Sequence, residues 1–140
     1  MIQQLSVFID NQPGSLMKVT HILRQKDINL RAISTFDSPE FGILRMIVDR
    51  PEEAKKALEE QHMMVRVGRV LAVELADEPG CLNQMLEVLA DGNVSVNYIY
   101  SYISETNHAP VMIFHTAYQE EARQLLNRHG FNVIDRLNEV

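Results

Sequence analysis

Two short segments carry residue types that could hold a small charged molecule. Asp10-Asn11-Gln12-Pro13-Gly14-Ser15-Leu16 and Ala76-Asp77-Glu78-Pro79-Gly80-Cys81-Leu82 each place Pro-Gly just before a stretch with helical spacing. A helix that begins directly after such a loop leaves its first N–H groups without intrahelical acceptors. The helix dipole adds partial positive charge at the same end. Together these make a seat for a carboxylate. Gly14 and Gly80 have no Cβ, so a ligand can approach the backbone closely. Asn11 and Asp77, two residues before their prolines, offer side-chain oxygens to an ammonium group. An α-amino acid brings both charges. The same residues admit a plainer reading: a tight strand-to-helix turn in which Asn11 or Asp77 only bonds nearby backbone.

Other chemistry-bearing residues point to less. Cys81 falls in the first turn of its helix, where the dipole favours a thiolate. Its counterpart is Ser15 and no histidine adjoins it, so it reads as a small loop-lining residue. The histidines His21, His62, His108, His115 and His129 form no metal-ligand spacing, and no metal or other cofactor is expected. Tyr98, Tyr100 and Tyr102 alternate and so share one face of a strand. They suit sheet cover, an interface or base stacking. No catalytic constellation of acid, base and nucleophile emerges, so no catalytic residue is assigned.

The elements that position these loops repeat. At an offset of 66 residues Leu5 meets Leu71, Pro13-Gly14 meets Pro79-Gly80, Leu23 meets Leu89 and Met46-Ile47 meets Met112-Ile113. At an offset of 68, Ala54 meets Ala122 and Leu58 meets Leu126. Each copy reads as strand, helix, strand, strand, helix, strand. In the first copy these are Leu5–Ile9, a helix through Leu16, Val19, Ile22 and Leu23, Ile28–Ile33, Ile43–Val48, a helix from Pro51, and Met63–Val67. Asp37-Ser38-Pro39-Glu40 is the turn between its middle strands. In the second copy they are Val70–Leu75, a helix through Leu82, Met85 and Leu89 ended by Gly92, Val94–Ile103, Val111–Phe114, a helix through Ala122 and Leu126, and Phe131–Ile134. This is the βαββαβ order of ferredoxin-like folds, of α+β class, taken twice. The boundary falls between residues 68 and 69, giving modules 1–68 and 69–140. The short run Val65 to Val70 joins them, so the modules are expected to pack together.

Two βαββαβ copies, each with Pro-Gly-x-Leu between first strand and first helix, resemble tandem ACT domains over essentially the whole chain. The resemblance implies modules with joined antiparallel sheets and a regulatory function, an amino acid being sensed at the interface between modules to modulate amino-acid metabolism. In ACT domains similar to the regulatory part of phosphoglycerate dehydrogenase, a loop asparagine and one early in the second strand contact the amino acid. The matching positions are Asn11 and Asn29 in the first copy, Asp77 and Ser95 in the second. The implied binding set is Asn11, Gln12, Pro13, Gly14, Ser15 and Leu16 with Asn29 and Leu30, and Asp77, Glu78, Pro79, Gly80, Cys81 and Leu82 with Ser95, Val96 and Asn97. A histidine used in that relative matches Ile9 here, a departure that leaves the ligand open.

Composition narrows the partners. The 140 residues carry a net charge of -6, which argues against a phosphate backbone and, with no basic-aromatic cluster on Val111–Phe114, against an RRM. No apolar run is long enough for a bilayer, and Met1-Ile2-Gln3-Gln4 lacks a signal-peptide pattern, so a cytoplasmic location is expected. The expected partners are a small molecule, a metabolic enzyme and a second copy of the chain. The rival reading is an assembly module for such an enzyme, without a small ligand, using the tyrosine strand or a sheet edge. An enzyme ranks third.

Overall fold

A computed structural model describes residues 1–38 and 41–136. The elements are β1 Ile2–Ile9, α1 Ser15–Gln25, β2 Leu30–Asp37, β3 Gly42–Val48, α2 Pro51–Glu60, β4 Met64–Glu74, α3 Cys81–Asp91, β5 Tyr98–Ile103, β6 Pro110–His115, α4 Gln119–Arg128 and β7 Asn132–Ile134. The chain divides into two compact units. One is Gln3–Gly68; the other is Met1–Ile2 together with the residues from Arg69 onward.

In the Gln3–Gly68 unit, β3 lies between β1 and β2, antiparallel to both. Leu5, Val7, Leu44, Met46 and Val48 point to one face and meet Val19, Ile22 and Leu23 of α1 and Ala54, Ala57 and Leu58 of α2. In the other unit the order is β7-β4-β6-β5, all antiparallel. Leu71, Val73 and Phe114 meet Met85 and Leu89 of α3 and Ala122 and Leu126 of α4. Both helices of each unit thus cover one sheet face, as the apolar stripes require. Leu58, Leu126 and Phe114 are fully buried.

Several boundaries differ from the sequence reading: β1 begins at Ile2 rather than Leu5, and β2 runs from Leu30 to Asp37 rather than from Ile28 to Ile33. Met63–Val67 and Val70–Leu75 were expected as separate strands, yet Met64–Glu74 is one strand. Gly68 keeps an ordinary φ, so no turn interrupts it. The strand expected from Val94 begins only at Tyr98, because Asn93 turns left-handed (φ 62°) and Val94 N–H bonds back to Leu89 C=O at 2.8 Å. α3 does end at Gly92, its C-cap (φ -82°), and Asn93 after it takes the left-handed conformation. Pro39 and Glu40 of the expected turn lie outside the described residues.

All four helices end alike. Asp27, His62, Asn93 and Gly130 have positive φ, and the next residue donates to a leucine carbonyl five positions back: Ile28 to Leu23, Met63 to Leu58, Val94 to Leu89, Phe131 to Leu126. This is the Schellman arrangement, with an apolar residue closing each helix end. His62 therefore serves a helix terminus.

Candidate functional site

The two Pro-Gly loops share one geometry. Ser15 N–H donates to Gln12 C=O at 3.1 Å, and Gly14 has φ 86° and ψ -4°. Cys81 N–H donates to Glu78 C=O at 3.3 Å, and Gly80 has φ 91° and ψ -9°. Both are type II turns, with proline fixing the second position and glycine supplying the positive φ of the third. The turn places the glycine as N-cap, and the helix ladder starts with Lys18 N–H to Gly14 C=O and Gln84 N–H to Gly80 C=O. Between turn and ladder, the N–H groups of Leu16 and Met17, and of Leu82 and Asn83, find no backbone acceptor among the described residues. A Cβ built on Gly80 meets no atom within 4 Å, and one on Gly14 only Met17 Cε at 3.9 Å. Each loop thus offers paired donors and open space, at the positive end of an 11-residue helix. Residues 11–14, 16, 77–80 and 82 are exposed; Ser15 and Cys81 are half-buried.

The loops differ in how they are anchored. Asn11 Nδ2 donates to the Asp37 carboxylate and to Ser38 C=O (2.9 Å), tying its loop to the end of β2. Among the described residues no donor reaches the Asn11 Oδ1. Asp77 cannot donate. The corresponding tie sits three residues earlier, where Glu74 Oε1 accepts from Asn107 Nδ2 at 3.0 Å.

The strand-two residues lie elsewhere. Asn29 exchanges bonds with Asp49: its N–H donates to Asp49 Oδ1 at 3.1 Å, and its C=O accepts from Asp49 N–H at 3.2 Å. With Leu30 it lines a depression of about 410 Å³ that also includes Thr20, Arg24 and Asp27, at the C-terminal end of α1. Asn11 is fastened to Asp37 at the far end of β2, eight residue steps from Asn29 or about 26 Å by strand rise. One module therefore does not bring Asn11 and Asn29 together. In the second copy Ser95 is exposed and Val96 packs on the core. Asn97 N–H bonds His115 C=O at 2.9 Å, and Asn97 Oδ1 lies 2.9 Å from His115 Nδ1. Tyr98 stacks on the same imidazole, centroids 5.3 Å apart and 11° from parallel. The sequence reading missed this Asn97–His115–Tyr98 group; its only signal was an imidazole at the end of a strand. A larger depression, about 500 Å³, lies beside Glu87, Asp91, Gly92 and His129, a position no motif marked. Asp135, remote in sequence from the loops, is displaced from its ordinary value. A hydrogen bond from the Met1 ammonium holds its carboxyl low; burial opposes this, and the charges of that ammonium, Arg123 and Arg136 add to the lowering.

Among curated proteins there is no significant match. The chain is similar to the solved structure of protein BT0572 from Bacteroides thetaiotaomicron: 30% identity, 95% of this chain and 91% of that one, TM-score 0.88. It shares its fold with the ligand-free regulatory subunit of aspartate kinase from Thermus thermophilus, at 19% identity over 91% and 92% of the chains with TM-score 0.68. The corresponding subunit from Thermus flavus aligns at 20% identity over 90% of each chain, with TM-score 0.62. The family model of the ACT domain pair matches residues 1–139. With two βαββαβ units and a Pro-Gly helix start in each, the chain belongs to the ACT domain pair family.

Proposed function

We propose that this ACT domain pair is a non-enzymatic regulator that binds an amino acid and passes the signal to an enzyme of amino-acid metabolism. Its modules are 1–68 and 69–140. The observation that carries the reading is the duplicated type II turn, which leaves two adjacent N–H donors exposed at a helix start under open space. A ligand carboxylate sits on Leu16 and Met17 N–H, or on Leu82 and Asn83 N–H. Its ammonium reaches Asn11 Oδ1 or the Asp77 carboxylate. Likeness of fold to the aspartate kinase regulatory subunits supports a regulatory role. Binding would bias the protein toward whichever arrangement holds the ligand better. Titration calorimetry against the twenty amino acids tests this. Heat from at least one of them, saturating at millimolar concentration or below, is the expected result. Silence from all twenty, with no thermal shift, would sink the amino-acid reading.

A further inference from the structure

α3 breaks a local rule that its counterpart obeys. α1 carries Lys18 and Arg24 and no acid, with Arg24 in the last turn, where the negative end of the helix dipole favours a cation. α3 carries Glu87 and Asp91 and no base. Asp91 closes the helix at that same negative end, and the two carboxylates stand four positions apart, a spacing at which like charges repel. The inversion follows one strip of the helix. At an offset of 66, Gln84, Glu87, Asp91 and Gly92 replace Lys18, His21, Gln25 and Lys26. The first copy folds with bases along this strip, so the fold does not account for the carboxylates. A local rule broken without a structural gain marks a functional position. Glu87 and Asp91 border the depression of about 500 Å³ between α3 and α4, whose floor includes the half-buried Val88, Leu125 and Phe131. His129 borders it too. Its Nδ1 lies 2.9 Å from Leu125 C=O. A carbonyl only accepts, so Nδ1 carries the proton and the neutral ring keeps Nε2 as an acceptor. Asn83 Nδ2 donates to Glu87 Oε1 at 2.8 Å. Among the described residues no donor reaches Glu87 Oε2 or the Asp91 carboxylate. The rim is thus made of acceptors over an apolar floor, and no cation lines it.

We propose that the groove between α3 and α4 seats an arginine side chain presented by a partner protein. A guanidinium is all donors, planar and always charged, which matches a rim that is all acceptors. Its methylene stem suits Val88 and Leu125 as a floor, and its plane suits the ring of Phe131. A metal ion does not fit: among the described residues no three His, Cys, Asp or Glu side chains stand close enough to hold one. A free small molecule fits poorly as well. Gln84, Glu87, Asp91, Gly92 and His129 are all exposed, so the groove leaves much of a ligand in water, whereas small-ligand sites enclose theirs. The surface that carries a partner's arginine supplies the missing cover. Charge favours the same occupant, because the chain's net charge of -6 draws a basic surface toward it. That this partner is the regulated enzyme rests on the proposed function; the arginine seat does not.

A panel of short fluorescein-labelled peptides, each with one central arginine among varied apolar neighbours, tests the seat by fluorescence polarisation against the full chain. At least one peptide is expected to bind. Replacing its arginine by citrulline, which keeps the shape and loses the charge, is expected to weaken binding roughly tenfold. Glu87→Gln and Asp91→Asn are each expected to weaken it roughly fivefold. Asp91→Asn is expected at the same time to raise Tm slightly, since it relieves the dipole and the like-charge pair; a carboxylate kept for structure would lower it. Glu60→Gln on α2 is expected to change neither. Silence from every peptide, equal binding of the citrulline form, or wild-type affinity in both groove variants would each overturn the proposal. So would N-acetylarginine amide binding as tightly as the peptide, which would make the groove a small-molecule site. An oligomer that Asp91→Asn dissociates would give the groove to a second copy and overturn it equally. Silence in the amino-acid titration leaves these results untouched.

Discussion

Gly80→Ala isolates what the Pro-Gly turn costs in backbone conformation. A Cβ there meets nothing within 4 Å, so no steric term enters. The penalty is torsional: φ 91° is left-handed, which costs an L-residue about 1–2 kcal/mol. Restricting the unfolded chain returns about 0.4–1 kcal/mol. The net loss expected is about 1 kcal/mol, or roughly 4 °C in Tm for a chain of this size. Gly68→Ala is the control. It also meets nothing within 4 Å, but its φ is ordinary. Relief of glycine's entropy in a strand should stabilise that variant by about 0.5–1 kcal/mol. Urea unfolding followed by circular dichroism, with m-values compared, reads both. Gly80→Asn should recover part of the loss, because asparagine tolerates the left-handed region. Equal stabilities for Gly80→Ala and Gly68→Ala would refute the torsional argument.

Two further expectations concern other mechanisms. Gly92→Ala has the opposite cause: φ is ordinary at -82°, but the new Cβ would clash with Leu125 Cδ2. Because Gly92 is exposed and the atom met is the terminal methyl of a half-buried leucine, which can turn aside, the cost is expected at about 1 kcal/mol, the low end for overpacking, and Leu125→Ala in the same chain should remove most of it; strict additivity in the double-mutant cycle would contradict the contact. Asp135 supplies a pH dependence. Its carboxyl is held below 3.8 in the folded chain, so its contribution is fully present above the unfolded value and disappears as pH falls through the folded one. Asp135→Asn should therefore lower Tm slightly at neutral pH, by less than the equivalent of about 1 kcal/mol for a half-exposed pair, and should match wild type under strong acid. A gap that widens on acidification would reverse the sign.

Much of the fold was legible because it is written twice. Leucines 23 and 89, or 58 and 126, stand at matching positions, and each pair anchors a helix and accepts its closing bond. Helix starts were legible because proline and glycine have narrow uses. Helix ends were less so: Asp27, His62 and Asn93 take the left-handed position that a reader assigns to glycine, and only Gly130 shows the expected residue. The driving signal was the apolar residue five places after each leucine, which packs the helix end shut. The loops of the candidate site were legible for the same reason as the helix starts. Asn11 to Asp37 and Ser38, and Asn97 to His115, were not, because these bonds join residues 18 to 27 apart whose approach depends on strand register.

The two copies agree where the fold needs agreement and part where a ligand would be read. Gly14 and Gly80 match in φ to within a few degrees, and the leucine anchors coincide. The residues just before each Pro-Gly do not. Asn11-Gln12 in the first copy becomes Asp77-Glu78 in the second, the same shapes with amides replaced by carboxylates. An approaching carboxylate meets neutral side chains at the first loop and two like charges at the second. At ~4 Å each like charge costs about 1 kcal/mol in water-like surroundings and more as water is displaced. That is roughly five- to tenfold in affinity per acid. Asp77 would repay part of this by holding the ammonium, whereas Asn11 offers only a neutral oxygen. On the proposed reading the first loop would be the better seat for an anion alone, and a ligand ammonium would narrow the gap without closing it. Acetate should accordingly separate the two loops more than an α-amino acid does, as read by the chemical shifts of the Leu16 and Leu82 N–H groups on titration; equal preference for both ligands would refute the charge argument.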